Sequence, residues 1–178
     1  MHRLFVAFLL PEPLIEAVAP AMEGGPEGIR WVPEDDLHCT LRFIGEIERP
    51  MAEDVAEALQ GMRAPSLEVH IDGVGVFDHQ RHGALFARLA PKEPLRALHD
   101  KVDRALQRCG LQPERRAYLP HITLARWSGG PIDAQPWAER WAGLSSNSVR
   151  LDHFTLFESR LSQRGPSYTA VLDQPLVG

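Results

Sequence analysis

Two short stretches share one pattern and decide the fold: LHCTLR at positions 37–42 and PHITLAR at positions 120–126. Each contains His-x-Thr-Leu, and the two histidines, His38 and His121, lie 83 residues apart, nearly half of the 178-residue chain. A repeat at this spacing indicates two structurally similar halves, each contributing one motif to a shared cleft.

Within each motif, polar and apolar side chains alternate as they do in a β-strand. Residues i and i+2 of a strand project from the same face, so His38 shares a face with Thr40, and His121 with Thr123. The intervening residues are expected to point into an apolar core: Cys39, Leu41, Ile122 and Leu124. The pattern therefore predicts a polar pair facing a cleft and a hydrophobic pair facing a core.

The remaining sequence alternates between strand-like and helix-like segments. Strands are predicted at about 3–9, 37–43, 66–73, 84–89, 120–126, 148–157 and 167–172. Helices are predicted at about 13–22, 51–62, 93–109 and 135–142, and loops at 23–29 and 128–133, where Gly and Pro recur. Several strand pairs are close enough in sequence to be hairpins. This favours antiparallel sheets with helices packed outside, an α+β fold, over a parallel α/β fold.

Composition and charge restrict the classes of function. A hydrophobic content of 44% suits one soluble globular domain, and the net charge of −5 argues against a broad basic surface for long nucleic acid. The apolar run at 4–10 ends in Pro-Glu-Pro, which favours a buried first strand over a signal peptide or membrane span. Two cysteines, Cys39 and Cys109, indicate free thiols in a reducing cytoplasm, with one disulfide as the alternative.

Two imidazoles facing one phosphate suit group transfer at phosphorus. One can remove a proton from the attacking oxygen while the other donates a proton to the leaving oxygen, and both roles are available near neutral pH. Threonine hydroxyls can bind the non-bridging oxygens, and a nearby arginine can offset the charge of the transition state. One histidine on an amphipathic strand is more often structural, but two in matched surroundings point to catalysis.

These motifs and their surroundings resemble the 2H phosphoesterase superfamily, and more closely its bacterial RNA 2′,3′-cyclic phosphodiesterases, also called 2′-5′ RNA ligases. The resemblance extends almost from end to end. The stretches that carry it stand in the expected order: RLFVAFLLP at 3–11, RWVP at 30–33, LHCTLRFIGE at 37–46, PHITLAR at 120–126 and the segment 159–168. Cys39 departs from the more usual hydrophobic residue, but it is expected to point away from the cleft.

The resemblance implies an α+β fold with two pseudo-symmetric lobes of antiparallel sheet, outer helices and a cleft between the lobes, all within one bilobal domain over 1–178. It implies hydrolysis of RNA 2′,3′-cyclic phosphate ends to 2′-phosphates, without metal or cofactor. His38 would be the proton donor to the departing 3′ oxygen and His121 the proton acceptor from water. Thr40, Thr123 and Arg126 would bind the phosphate. The partners would be RNA termini, including tRNA fragments, and the protein a cytoplasmic monomer without membrane contact.

Some residues stay open at this point. Arg126 is five residues beyond His121 and would lie on the opposite face of a regular strand, so only a bulge, twist or strand end would turn it to the phosphate. Among the aromatic residues, Phe5 and Tyr168 are the preferred platform for a base. His79 and His82 are expected in a solvated loop, because no carboxylate or thiolate cluster completes a metal site.

Four alternatives to metal-independent hydrolysis of RNA 2′,3′-cyclic phosphates remain. The same site run in reverse would join a 5′-hydroxyl RNA to the cyclic phosphate through a 2′-5′ linkage. A non-catalytic module would bind RNA ends and release them unchanged. A metal-dependent phosphodiesterase would lose activity to a chelator, and a 2H phosphodiesterase of another kind would act on small cyclic nucleotides.

Overall fold

One antiparallel sheet contains every strand of residues 1–177, the part of the chain that the computed structural model describes. The strands are β1 (His2–Leu9), β2 (Arg30–Trp31), β3 (His38–Ile47), β4 (Leu67–Asp78), β5 (His82–Ala90), β6 (His121–Ser128), β7 (Val149–Leu151), β8 (His153–Ser162) and β9 (Gly165–Pro175). Their order is β7-β4-β5-β6-β3-β1-β8-β9, with β2 paired to β6. The two motif strands, β3 and β6, are therefore neighbours in the middle.

The strands on either side of this centre repeat one arrangement. β3 pairs with β1, which pairs with β8, just as β6 pairs with β5, which pairs with β4. Both sets share one hydrophobic cluster that includes Val6 and Leu41 from one half and Leu85 and Ile122 from the other. The predicted α+β fold with two pseudo-symmetric antiparallel halves is confirmed.

Four helices connect the strands: α1 (Glu12–Val18), α2 (Arg49–Gln60), α3 (Lys92–Arg108) and α4 (Gln135–Arg140). In α3, the predicted apolar stripe is buried: Leu95, Leu98, Val102 and Leu106. A buried leucine contributes about 1.5–3 kcal/mol, so this stripe is the main attachment of α3 to the sheet. The chain leaves α3 at Gly110, whose φ of +100° favours glycine.

Several predicted boundaries were wrong. The strand at 148–157 is interrupted at Asp152, because β7 pairs with β4 while β8 crosses to the other half and pairs with β1. The helix at 13–22 ends at Val18 and continues as a 3-10 turn over Ala19–Met22, since Pro20 has no N–H to donate. The short strand β2 was not predicted, and β4 extends five residues beyond its predicted end.

Two other expectations concern the cysteines and the membrane. Cys39 and Cys109 are both free, so the alternative of one disulfide is wrong. Within residues 1–177, no helix has the length and apolar character needed to cross a membrane.

Candidate active site

The two motifs meet where β3 and β6 pair. Cys39 lies opposite Ile122 in this antiparallel pair, so the next positions set His38 beside Thr123 and Thr40 beside His121. The site therefore contains two imidazoles and two hydroxyls in a diagonal arrangement across two adjacent strands.

The burial of the motif residues follows the predicted alternation. The polar members of both motifs are half-buried on the cleft side. The apolar members are at most 1% exposed on the core side: Cys39, Leu41, Ile122 and Leu124. Burial also raises the pKa of the Cys39 thiol to about 11, which keeps it neutral and away from the chemistry of the cleft.

Both histidines are oriented in the same way. His38 Nδ1 lies 2.6 Å from the carbonyl oxygen of Asp36, and His121 Nδ1 lies 2.7 Å from the carbonyl oxygen of Leu119. A carbonyl oxygen can only accept a hydrogen bond, so Nδ1 carries the hydrogen in each neutral ring. Each ring therefore keeps Nε2 for proton exchange with a substrate.

The surroundings lower the pKa of both imidazoles. Burial is the main cause for His38, and the charges of Arg126 and His121 lower the pKa further, while the Asp36 carbonyl and carboxylate oppose them. Burial also lowers the pKa of His121, the Leu119 carbonyl opposes it, and the charge of Arg126 adds to the lowering. Both rings therefore favour the neutral form until an anion approaches them.

A β-bulge in β6 brings Arg126 to the side of the histidines. Leu85 faces Ala125 and Phe86 faces Thr123, which leaves Leu124 as an extra residue in the strand. An extra residue reverses the alternation of the positions that follow it. Arg126 is accordingly exposed on the cleft side, where its charge affects both imidazoles. Of the three irregularities that could turn Arg126 towards the histidines, the structure contains a β-bulge.

A matching bulge in β3 has the opposite consequence for its arginine. Leu41 is the extra residue there, so Arg42 turns into the core, where its side chain is 7% exposed. Its Nε donates to Asp103 at 2.8 Å, and its other nitrogens donate to the carbonyls of Phe43 and Gln112. Arg42 is therefore structural, and Phe43, 48% exposed, occupies the position that corresponds to Arg126.

Aromatic rings flank each histidine. Phe5 and Tyr168 have ring centroids 5.2 and 5.3 Å from that of His38. On the other side, Phe77 and Phe86 lie 5.2 and 5.4 Å from His121 and stack on each other at 4.3 Å. The structure therefore brings Phe5 and Tyr168 to the site, and it adds a second aromatic pair there.

Comparison with known proteins agrees with this geometry. The sequence model of the 2′-5′ RNA ligase superfamily matches residues 11–163, which include both motifs. The chain belongs to this superfamily. The RNA 2′,3′-cyclic phosphodiesterase of Aeropyrum pernix is 30% identical over 149 residues, 82% of this chain and 85% of the relative. The Escherichia coli protein of the same name is 28% identical over 170 residues, 94% and 93% of the two chains.

Solved structures of the superfamily share the fold along nearly the whole chain. The apo crystal structure of E. coli LigT matches with a TM-score of 0.77 and 26% identity, covering 99% of this chain and 98% of that one. LigT complexed with 3′-AMP matches with a TM-score of 0.75 and 26% identity, covering 99% of each chain. The resemblance that the motifs indicated is confirmed.

Three residues near the site were not predicted from the sequence: Arg30, Phe86 and Arg88. Arg88 lies directly opposite His121 in the pairing of β5 with β6, and Phe86 lies opposite Thr123. A signal was present, because Phe86 and Arg88 alternate with buried Leu85, Ala87 and Leu89. Arg30, in the RWVP stretch, lies opposite Arg126 in the pairing of β2 with β6.

A buried polar network fixes the bulge behind the motif strand β3. The hydroxyl of Tyr118 donates to the Thr40 carbonyl at 2.9 Å, and His99 Nδ1 donates to the Leu41 carbonyl at 2.6 Å. The two rings stack face to face, with centroids 4.4 Å apart. Tyr118 directly precedes Leu119, whose carbonyl holds His121. One segment of chain therefore positions residues of both motifs.

Replacing Tyr118 by phenylalanine is expected to destabilise the protein by about 1–2 kcal/mol, because a half-buried carbonyl loses its donor. For a chain of this length, the melting temperature should fall by about 2–8 °C, which thermal unfolding measured by circular dichroism would detect. Tyr168→Phe is the matched control, because Tyr168 is half-buried and contacts Phe5 and His38 through its ring, which phenylalanine retains. Equal melting temperatures of the two variants would contradict this role of Tyr118.

Two surface cavities lie away from the two motifs. Two cavities of about 340 and 350 Å³ lie at the other end of β1, where both are lined by His2 and Glu158 and neither contains a motif residue. His79 and His82 are exposed as expected, but only His79 lies in the loop, because His82 is the first residue of β5 and pairs with Ser128. Within residues 1–177, no group of three or more His, Cys, Asp or Glu side chains is placed to hold a metal ion. The candidate site is therefore identified by the histidines and threonines that the two motifs bring together, and not by the size of a cavity.

Proposed function

We propose that the protein hydrolyses RNA 2′,3′-cyclic phosphate termini to 2′-phosphates by two-histidine acid–base catalysis. One observation carries this proposal: His38 and His121 lie on adjacent strands, and each donates Nδ1–H to a backbone carbonyl, which leaves two Nε2 atoms for one phosphate. The relatives named as RNA 2′,3′-cyclic phosphodiesterases support the choice of substrate.

In the proposed reaction, His121 Nε2 accepts a proton from water while the water oxygen forms a bond to phosphorus. The bond between phosphorus and the 3′ oxygen breaks, and His38 Nε2 donates a proton to that oxygen. The bond to the 2′ oxygen survives, so the product carries a 2′-phosphate and a 3′-hydroxyl. The assignment of His38 as the donor is supported by the Asp36 carboxylate, whose charge favours its protonated form.

The remaining site residues would stabilise the phosphate. The hydroxyls of Thr40 and Thr123 can donate to the non-bridging oxygens without adding charge. Arg126 supplies a cation whose planar fork matches two phosphate oxygens. Phe5 and Tyr168, next to His38, would pack against the terminal base, on the side where the 3′ oxygen leaves.

The test uses a short RNA that ends in a 2′,3′-cyclic phosphate, incubated with the purified protein and a chelator, with separation of the 2′- and 3′-phosphate products. We expect only the 2′-phosphate and no effect of the chelator. A 3′-phosphate would contradict the roles assigned to the histidines, and inhibition by the chelator would favour a metal-dependent enzyme. Binding of the RNA without turnover would favour the non-catalytic module.

The aromatic pair beside His121 favours ligation as a second candidate. Phe77, which is half-buried and stacks on the buried Phe86, offers a surface for a nucleoside on the side where water attacks. The 5′-hydroxyl of a second RNA could replace water there and form a 2′-5′ linkage by the same proton transfers. Product ratios with and without an excess of 5′-hydroxyl RNA distinguish the two reactions, and small cyclic nucleotides offered alone test the remaining alternative.

In the cell, we propose a cytoplasmic monomer whose single bilobal domain spans 1–178 and acts on RNA ends such as those of tRNA fragments. The shared hydrophobic cluster supports one domain, and free thiols support a reducing compartment. Both motifs come from one chain, so the site needs no second copy. Light scattering of the purified protein at assay concentration would measure the mass in solution.

The pH dependence follows from the lowered pKa values of the histidines. Activity should rise with pH as the base loses its proton and fall as the acid loses its proton, and kcat/KM reports both groups in the free enzyme. Because the pKa of each ring is below the ordinary 6.5, the optimum of kcat/KM should lie below pH 6.5. The bound anion raises both pKa values, so the optimum of kcat should be higher. An optimum of kcat/KM above pH 7 would contradict this prediction.

A further inference from the structure

Arg88 lies on the cleft face beside the reacting groups. It faces His121 across β5 and β6, and it is exposed. Phe86, two residues earlier, shares this face and approaches His121, whereas Leu85 and Leu89 point into the core on the other face. The arginine is thus presented to the cleft by the same alternation that places the histidines there.

The guanidinium of Arg88 is held in a defined place. It donates to the Val74 carbonyl, and its Cζ lies 5.5 Å from the centroid of the Phe86 ring. A Cβ at Gly75 would lie 2.3 Å from Phe86 Cζ and 2.9 Å from Arg88 Nη2, so the glycine leaves the space in which both side chains lie. Within residues 1–177, no carboxylate forms an ion pair with Arg88. Its remaining N–H groups are therefore available to an anion.

The two halves of the fold differ in charge at corresponding positions. Leu9, 43% exposed, faces His38 as Arg88 faces His121. Phe43 occupies the position that corresponds to Arg126, and Arg30 pairs with Arg126 on the same side. At these corresponding positions the His121 side carries arginines and the His38 side carries Leu9 and Phe43, with Arg3 lying over the Phe43 ring. A nucleic acid, with charged phosphates and flat apolar bases, fits such a division.

The surroundings of Arg88 and Arg126 differ. The β6 bulge brings Arg126 to the side of the histidines, where its charge lowers the pKa of both rings, so under the proposed function it binds the reacting phosphate. The guanidinium of Arg88 is turned towards Val74 and the face of Phe86 instead. We propose that Arg88, seated above Gly75, forms a second phosphate subsite that binds an RNA phosphodiester next to the reacting phosphate. This proposal rests on the proposed function, and it implies that the substrate is an RNA strand rather than a mononucleotide.

The phosphodiester could come from the strand that bears the cyclic phosphate or from a 5′-hydroxyl strand on the attacking side. The first arm compares kcat/KM of wild type and Arg88→Met on a cyclic mononucleotide and on a trinucleotide ending in a cyclic phosphate. The second arm measures how well a 5′-hydroxyl trinucleotide without a cyclic phosphate inhibits hydrolysis of the cyclic mononucleotide. Arg104→Met, on the exposed face of α3, is the matched control, and Arg88→Lys retains the charge without the fork.

We expect Arg88→Met to change one of two quantities by roughly 10- to 100-fold, the usual effect of losing a charge-assisted hydrogen bond. If the ratio of kcat/KM on the trinucleotide to kcat/KM on the mononucleotide falls, Arg88 binds a phosphodiester of the substrate strand. If inhibition by the 5′-hydroxyl trinucleotide weakens, Arg88 binds a phosphodiester of the attacking strand. Whichever of these two quantities changes, kcat/KM on the trinucleotide or the inhibition constant, should also depend less on salt concentration in the variant, which a purely structural role would not cause. If neither quantity changes in an active enzyme, the proposed subsite is wrong. If wild type hydrolyses neither substrate, the proposed function fails instead.

Discussion

Replacing either His38 or His121 by alanine is expected to lower kcat on an RNA 2′,3′-cyclic phosphate by about 10² to 10⁴-fold, the usual contribution of a general acid or base. The physical reason is that each ring has one nitrogen engaged with a backbone carbonyl, so that Nε2 is its only means of proton transfer. Initial rates at saturating substrate, with the 2′-phosphate product resolved, measure the effect.

The control for these variants is His153→Ala, since His153 is exposed and its ring forms a hydrogen bond with Asp152 rather than with a motif residue. It should retain the wild-type rate. The double variant His38→Ala/His121→Ala should be scarcely slower than either single variant, because residues that act as a unit are not additive. If one single variant kept most of the activity, the two-histidine mechanism would have to be abandoned.

The second large effect is expected for Arg126→Met, with kcat/KM about 10² to 10³-fold lower, as when a preorganised donor to a developing negative charge is removed. The pH profile should move as well. The charge of Arg126 lowers the pKa of both histidines, so its removal raises both values and shifts both limbs of the profile to higher pH. Rates measured across pH 4.5 to 8.5, about two units to either side of the ordinary histidine value, would show the shift.

Two variants make this result specific. Arg126→Lys keeps the positive charge but loses the planar fork, so it should lose much of the rate while its pH profile stays close to that of wild type. Arg104→Met removes a distant exposed cation from α3 and should change neither quantity. A normal pH profile for Arg126→Met would show that the guanidinium does not lie near the imidazoles in solution.

Much of the site could be predicted because it depends on local alternation. In each motif, the polar residues needed for chemistry alternate with residues that are at most 1% exposed, so the spacing alone assigned the faces of His38, Thr40, His121 and Thr123. The amphipathic stripe of α3 was predicted for the same reason. The resemblance to the 2H superfamily then added the pseudo-symmetric fold, which residue spacing could only suggest.

The arginines could not be assigned in this way. Arg42 and Arg126 both end a motif, yet one is buried against Asp103 and the other is exposed beside the histidines. Both strands contain a bulge, but the arginine is the first residue after it in β3 and the second in β6. A bulge depends on the pairing of strands that are distant in sequence, so the sequence of one strand does not reveal it.

By itself, the sequence determined the two His-x-Thr motifs, their polar faces, the antiparallel α+β architecture and the superfamily, because these follow from alternation, turn residues and repeated motifs. The tertiary structure alone decided which arginine joins the histidines, and that an arginine, Arg88, lies opposite His121 where a leucine, Leu9, lies opposite His38. These features arise from strand register, and register is set by hydrogen bonds and packing between segments far apart in the chain.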